Sequence, residues 1–270
     1  MTGPRLDEYL RTAGERVEDL SRIAADQPYR AAGPTLSRRG LELWAEAGRR
    51  PVRTRRMTAT ESEQWQNLCD GELASTDGTL TPHGRDLLDH LQRHSQQVRI
   101  EATNGHEAFS FVAHGEGARF VTLATVAPHH ASHQLTPREV ADTAHTLTLG
   151  VTHRSMLPVV LASWLGLGPA WSLRTAPEEL DTTLVEARIA DPRTAPPVDS
   201  DANLREVWGQ PWFAWTLTTT PAHRGMAMIH TGPRGQLSLT AAPAPGRTRI
   251  ASVPTQLVWL ELVRAVTQRS

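Results

Sequence analysis

Three histidines in the run His129-His130-Ala131-Ser132-His133 are the densest set of metal-capable side chains in the sequence. Imidazoles so spaced suit zinc, copper or nickel. The run falls in an expected loop, with no acidic ligand close by and no His-Glu-x-x-His pattern. It is therefore a weak metal candidate, and the expected metal and cofactor complement is none. His114-Gly115-Glu116 has the His-x-Glu spacing of zinc deaminases. Its Pro-Cys-x-x-Cys partner cannot be built from one cysteine, Cys69. The same count excludes an intramolecular disulfide, and Cys69 itself reads as a small buried hydrophobe. No Gly-x-Ser-x-Gly elbow marks a serine nucleophile. Gly166-Leu167-Gly168 reads as a helix end and not as a phosphate cradle. All 28 basic residues are arginine. The absence of lysine removes Schiff-base chemistry, the P-loop and the kinase lysine. Nothing assembles nucleophile, base and orienter, so a non-enzyme is expected. A metal-dependent hydrolase using the histidine run is the enzymatic alternative.

Charge points towards recognition. The net charge of −1 argues against a general binder of nucleic acid or anionic membrane. That balance conceals two local extremes. Five arginines lie between Arg49 and Arg56, which reads as a solvated linker or edge strand. Residues 177–203 hold seven acidic and two basic side chains, spaced as a solvated helix face. Leu80-Thr81-Pro82-His83-Gly84-Arg85-Asp86-Leu87 resembles a segment of winged-helix regulators. A DNA-binding unit over residues 58–126 is therefore a second alternative. Eight tryptophans outnumber two tyrosines and four phenylalanines. Trp164 and Trp171, beside Leu165, are candidate anchors for a partner helix if their rings are exposed.

The elements that must position these residues follow from periodicity. Leu6, Leu10, Val17, Leu20 and Ile23 suit a first helix. Leu41, Leu43 and Trp44 suit a second, stopped by Gly48. Capping boxes at Thr58/Glu61 and Thr60/Glu63 open a third, and Thr81-Pro82 opens a fourth. From Val98 the period changes to two. Val98 to Ala102, Phe109 to Ala113 and Arg119 to Val126 form a three-stranded antiparallel meander, turning at Asn104-Gly105 and Gly115-Glu116-Gly117. Thr136-Pro137-Arg138-Glu139 opens a helix through Leu149. Residues 155–210 read mostly helical, with one helix after Thr175. Strands return at Trp212–Thr219, Met226–Thr231, Gln236–Ala241 and Arg249–Val253, before a last helix after Pro254.

The two strand-rich regions repeat. Gly115 and Gly232 open equivalent turns 117 residues apart, and Pro137 and Pro254 have the same offset. The expected fold class is α+β: a central antiparallel sheet built from two quasi-repeated βββ(β)α halves in a pseudo-twofold relation, flanked by helices. Residues 1–34 form an N-terminal helical extension and 35–270 one domain. Within it, half one spans about 35–150, a helical middle 151–210 and half two 211–270. No apolar run approaches the roughly 18 residues of a membrane span, and the polar N-terminus does not suit a signal peptide. A soluble cytoplasmic protein with no membrane insertion is expected.

Leu41-Glu42-Leu43-Trp44-Ala45-Glu46-Ala47-Gly48, then Arg49-Arg50-Pro51 and Thr58-Ala59-Thr60-Glu61, resembles the opening of the EspG family of ESX (type VII) secretion-associated chaperones of actinobacteria. Val98 to Val126 looks like that family's first meander, and Met226 to Val266 like its closing one. The resemblance spans residues 35–270. The N-terminal 34 residues fall outside it, and the Asn104-Gly105-His106 loop is shorter than in some members. It implies a cytosolic chaperone that binds secreted helical PE–PPE or WxG-like heterodimers and keeps them soluble for export. It places the client surface at Asn104, Gly105, His106 and Glu107, and within 155–205, where Trp164, Leu165 and Trp171 lie. Nucleic acid is not an expected partner.

Overall fold

The structure is a computed structural model. It describes Tyr29 and residues 33–105, 107–135, 139–140, 143, 145–168, 177–221 and 225–267, without the side chains of 132–134 and 233. The expected helix over residues 5–24 lies outside these, as do His106 and Trp171.

The first elements among the described residues are a short strand, β1 (Thr35–Ser37), and three helices: α1 (Arg38–Arg49), α2 (Ala59–Asp70) and α3 (Pro82–Arg93). Their starts are written in the sequence. The Ser37 hydroxyl accepts from Gly40 N–H at α1. Thr58 and Glu61 close a reciprocal capping box at α2, and Thr81 caps α3 with proline in its first turn. Gly48 does not end α1. It lies in the last turn because a Cβ there would meet the Leu88 side chain at 2.3 Å, so glycine serves helix packing. The arginine-rich 49–56 segment is an exposed connection with one 3₁₀ turn, Thr54–Arg56.

The meander follows as β2 (Gln96–Thr103), β3 (Ala108–Glu116) and β4 (Arg119–Ala124). Two expectations fail after it. The histidine run is not a loop but the helix α4 (Pro128–Gln134). Residues 146–149 do not continue a helix from Pro137: they begin a fourth meander strand, β5 (Thr146–His153). Its threonines and alternating Leu147, Leu149 and Val151 fit a pleated edge better than a helix. Helix α5 (Leu157–Leu165) carries Pro158 in its first turn and ends on Gly166, left-handed at φ 65°. The acidic stretch is corrected too. Glu178 does not open a helix but the strand β6 (Glu178–Asp181), whose last residue caps α6 (Thr182–Ala190). After α7 (Ala202–Trp208) come β7 (Phe213–Thr220), β8 (Gly225–His230), β9 (Gln236–Ala241), β10 (Arg247–Val253) and α8 (Thr255–Thr267).

The ten strands form one antiparallel sheet in the order β1-β5-β4-β3-β2-β7-β8-β9-β10-β6, an α+β architecture with helices on both faces. Outward from the central β2–β7 pair, each side has three meander strands, a fourth, and an edge strand from earlier in the chain. β2 and β7 start at 96 and 213, β3 and β8 at 108 and 225, β4 and β9 at 119 and 236, each 117 apart. Ile100 and Leu217 hold the same spacing and pair with each other across β2 and β7. The prolines do not follow that rule. Half two closes with α8 after Pro254, whereas half one closes with α5 and Pro158, because α4 and its connections separate β4 from β5.

Apolar alternation builds three cores on this sheet. On one face Val98, Ile100, Phe111, Phe120, Trp215 and Leu217 pack beneath α4, α5 and α8. On the other face, Val121 and Leu149 pack against α1–α3 at one end. Ile229, Leu237 and Ile250 pack against α6 and α7 at the other.

Candidate partner-binding surface

Between these last two helical layers, none of the described helices covers the middle of the sheet. β2 and β7 alternate strictly between buried residues and exposed or half-buried ones. The uncovered side presents Arg99 and Glu101 of β2, Ser110 and Val112 of β3, and Ala214, Thr216 and Thr218 of β7. Arg99 Nη2 and Glu101 Oε1, 2.6 Å apart along β2, neutralise each other across the strip. A cavity of about 550 Å³ lies at one end of it. Its walls include Leu147, Ala214, Ala227 and Leu239, with Glu101 and Thr216 as polar members. The result is an apolar floor with a polar rim, which suits a protein segment better than a small charged metabolite.

The β2–β3 hairpin stands beside this cavity. Asn104 N–H donates to Glu107 O at 3.3 Å and Gly105 N–H to Thr103 Oγ1 at 3.3 Å. Gly105 has φ 108°, and a Cβ there would lie 2.5 Å from Ala190 O, so the turn is fitted against the C-terminal end of α6. Two of the expected client-contact residues, Asn104 and Gly105, thus lie where the strip meets the α6 layer.

The other expected contacts are placed differently. Trp164 and Leu165 are fully buried. Trp164 Nε1 donates to Thr125 O at 3.1 Å and its ring meets Phe111 edge-on at 5.7 Å. Such a ring fastens α5 to β4 and presents nothing to a partner in this arrangement. Most of the other tryptophans in the described residues, Trp44, Trp65, Trp208, Trp212 and Trp215, are buried too. Their N–H groups reach backbone carbonyls, or Gln236 Oε1 for Trp215.

Among the described residues no group of three or more His, Cys, Asp or Glu side chains could hold a metal ion. The His129 ring lies 5.6 Å from that of His230, against Gly166, so the run serves the seam between α4, α5 and β8. A different set of histidines does gather. His90 Nε2 donates to His114 O at 2.9 Å, and the His94 and His114 rings meet edge-on at 4.3 Å. His114 is held neutral, its pKa pushed down to about 4, first by burial and then by the charges of His94 and His90. The motif resembling winged-helix regulators is α3 itself. A Cβ at Gly84 would lie 1.9 Å from Leu73 O, and Gly84 O accepts from Trp44 Nε1, so this glycine seats α3 against α1 and the 71–73 turn. β2 and β3 then run into the ten-stranded sheet and do not close a small winged unit over 58–126.

Sequence reasoning missed the residue that fixes the acidic layer. Arg188, read as part of a solvated face, is buried. It donates to Trp208 O and Gln210 O and stacks 4.7 Å over the Trp212 ring. Burial lowers its pKa, and the carbonyls it serves end α7 and lead into β7. Nothing in the sequence marks it, because Arg188 lies 20 positions before Trp208 and only the fold brings the two together. At the layer's edge, Glu178 has its carboxyl pKa raised by burial and then by Asp201, while Asp181 is lowered by its bonds to Thr183.

No family model and no curated protein matches the chain. Among solved structures, the chain is similar to the Mycobacterium tuberculosis type VII secretion system chaperone EspG5 in complex with a PE25–PPE41 dimer, at 11% sequence identity and TM-score 0.49, over 86% of this chain and 94% of that one.

Proposed function

We propose that the protein is a non-enzymatic chaperone or adaptor that holds a secreted helical-hairpin heterodimer, of the PE–PPE or WxG-like kind, for type VII secretion. The bare middle of the sheet carries this reading. An apolar cavity of about 550 Å³, flanked by two helical layers, matches the tip of a helical hairpin, with apolar residues at its end and polar ones around them. The resemblance of residues 35–270 to the EspG family points the same way and supplies the client class. Asn104 and Gly105 stand at the groove's end and are the retained candidates for client contact, together with Thr216 and Ala227. Trp164 and Leu165 are not retained, because a client would have to displace α5 to reach them.

Co-expression with secreted PE–PPE or WxG-like helical pairs tests the reading. A stable 1:1:1 complex is expected by size exclusion with light scattering. Ala227→Arg and Thr216→Arg, which fill the groove without touching the buried face, should abolish the complex and leave the thermal midpoint of the free chain unchanged. Failure to capture any such pair overturns the reading.

A further inference from the structure

The arginine run after α1 has no part in the central groove, and it is fastened at several points. Arg50 N–H donates to Glu46 O at 3.1 Å, and Val52 N–H to Gly78 O at 2.8 Å. Gly78, at φ 91°, sits so close that a Cβ there would lie 2.1 Å from Val52 O. The 3₁₀ turn then closes through Arg56 N–H to Arg53 O at 3.0 Å and Met57 N–H to Thr54 O at 3.3 Å. Val52 and Met57 pack partly onto the core of α1–α3, while Arg50, Arg53, Arg55 and Arg56 stay exposed. The segment is a shaped loop and not a loose tether.

Between this loop, α1 and the start of α2 lies a cavity of about 480 Å³. Arg50, Arg53 and Arg56 line it, with Leu43, Val52 and Met57 as apolar members. The carboxylates in its wall, Glu46 and Glu61, are already engaged by Arg39. Arg39 Nη2 lies 2.6 Å from Glu61 Oε1, and its Nη1 lies 3.1 Å from Glu46 Oε1. Glu61 Oε2 also accepts from Thr58 N–H at 2.9 Å. One arginine thus takes up the acids of the wall. Arg50, Arg53 and Arg56 have no ion pair among the described residues.

We propose that this cavity takes an acidic segment of a partner protein, an apolar side chain flanked by carboxylates. Three guanidinium groups on a fastened loop present forked donors that match carboxylates, with little backbone freedom left to lose. Leu43, Val52 and Met57 supply the apolar floor between them. A nucleic acid fits less well. No aromatic side chain lines the cavity among the described residues to stack a base, and Glu46 and Glu61 stand in its wall against a run of phosphates. The cavity shares no described lining residue with the central groove and does not rest on the client reading.

The probe is a short fluorescently labelled peptide with a central leucine flanked by glutamates, titrated against the full chain, with its glutamine-flanked counterpart as control. The glutamate peptide should bind, and more weakly as salt is raised. It should lose about tenfold in affinity when serine replaces the leucine. The glutamine peptide should not bind. Arg53→Gln with Arg56→Gln should weaken binding about fivefold, the effect of two exposed charge pairs, and leave the thermal midpoint of the free chain unchanged. Arg85→Gln with Arg249→Gln removes the same charge from exposed residues outside the cavity and should leave the affinity unaltered. A chain that captures no helical pair should still bind the peptide. Each of these results would overturn the proposal: no binding of the glutamate peptide, equal binding of the glutamine peptide, equal losses in the two double variants, or tighter binding of single-stranded DNA to the same arginines.

Discussion

His114 shows how one side chain can tie stability to pH. Its ring lies between β3 and the end of α3, beside His94 and His90, and its Nδ1 has no hydrogen-bond partner. A group whose folded pKa is depressed from 6.5 to about 4 favours the neutral form in the fold. The unfolded chain therefore binds the proton first, and stability is lost as pH falls through the interval from 6.5 towards 4. Above that interval the contribution is flat. Urea midpoints at pH 7.5 and pH 5 should diverge strongly in the native chain and much less in His114→Gln. Equal divergence would locate the acid sensitivity in another group. Arg188 is the opposite case at this scale, a permanent cation made tolerable by carbonyl oxygens and the Trp212 face. Neither role was legible in sequence, because each depends on what another element brings within 3–5 Å of the side chain.

At the scale of elements, what is local was legible. The caps at Thr58 and Thr81, the Asn104-Gly105 turn, and the strands of the second half follow from spacing alone. What failed was context. The Thr-Pro-x-Glu pattern at 136–139 suits a helix through Leu149, yet Thr146 to Thr148 pair with β1 and Thr148 to His153 with β4. A capping signal says where a helix starts and is silent on where tertiary pairing ends it. The anchor reading of Trp164 failed likewise: an apolar run gives burial but not which side is covered. Gly84 tests how strictly one element is seated. A methyl group there would collide with Leu73 O at 1.9 Å, and backbone cannot step aside as a side chain end can. Gly84→Ala gains helix propensity, yet it should lower the unfolding free energy by about 2 kcal/mol through the forced shift of α3. Gly117→Ala is the comparison, with nothing within 4 Å of its Cβ but a φ of 60° to hold. It should cost about 1 kcal/mol by backbone strain alone. Equal losses in denaturant melts would show that α3 can shift freely.

For the whole molecule, three cores share one sheet, and adjacent residues of the same strand serve different ones. Phe120 packs beneath α5 and α8, while its neighbour Val121 packs against α1–α3. Met228 joins the first of these cores and Ile229 the core of α6 and α7. Loosening one end of the sheet therefore tilts strands that the other core needs, and the β2–β7 pair carries the disturbance across the middle. The chain should open as one unit. Leu68 is fully buried in the core of α1–α3, at the end of the sheet away from β9. Leu68→Ala should cost about 3 kcal/mol. Native-state amide exchange should record the same loss at Leu237 in β9 as at Ile100 in β2. A loss confined to residues 35–153 would mean that each half keeps its own stability. The bare strip would then be a hinge between two independent lobes, and a client seated there would have to bridge both.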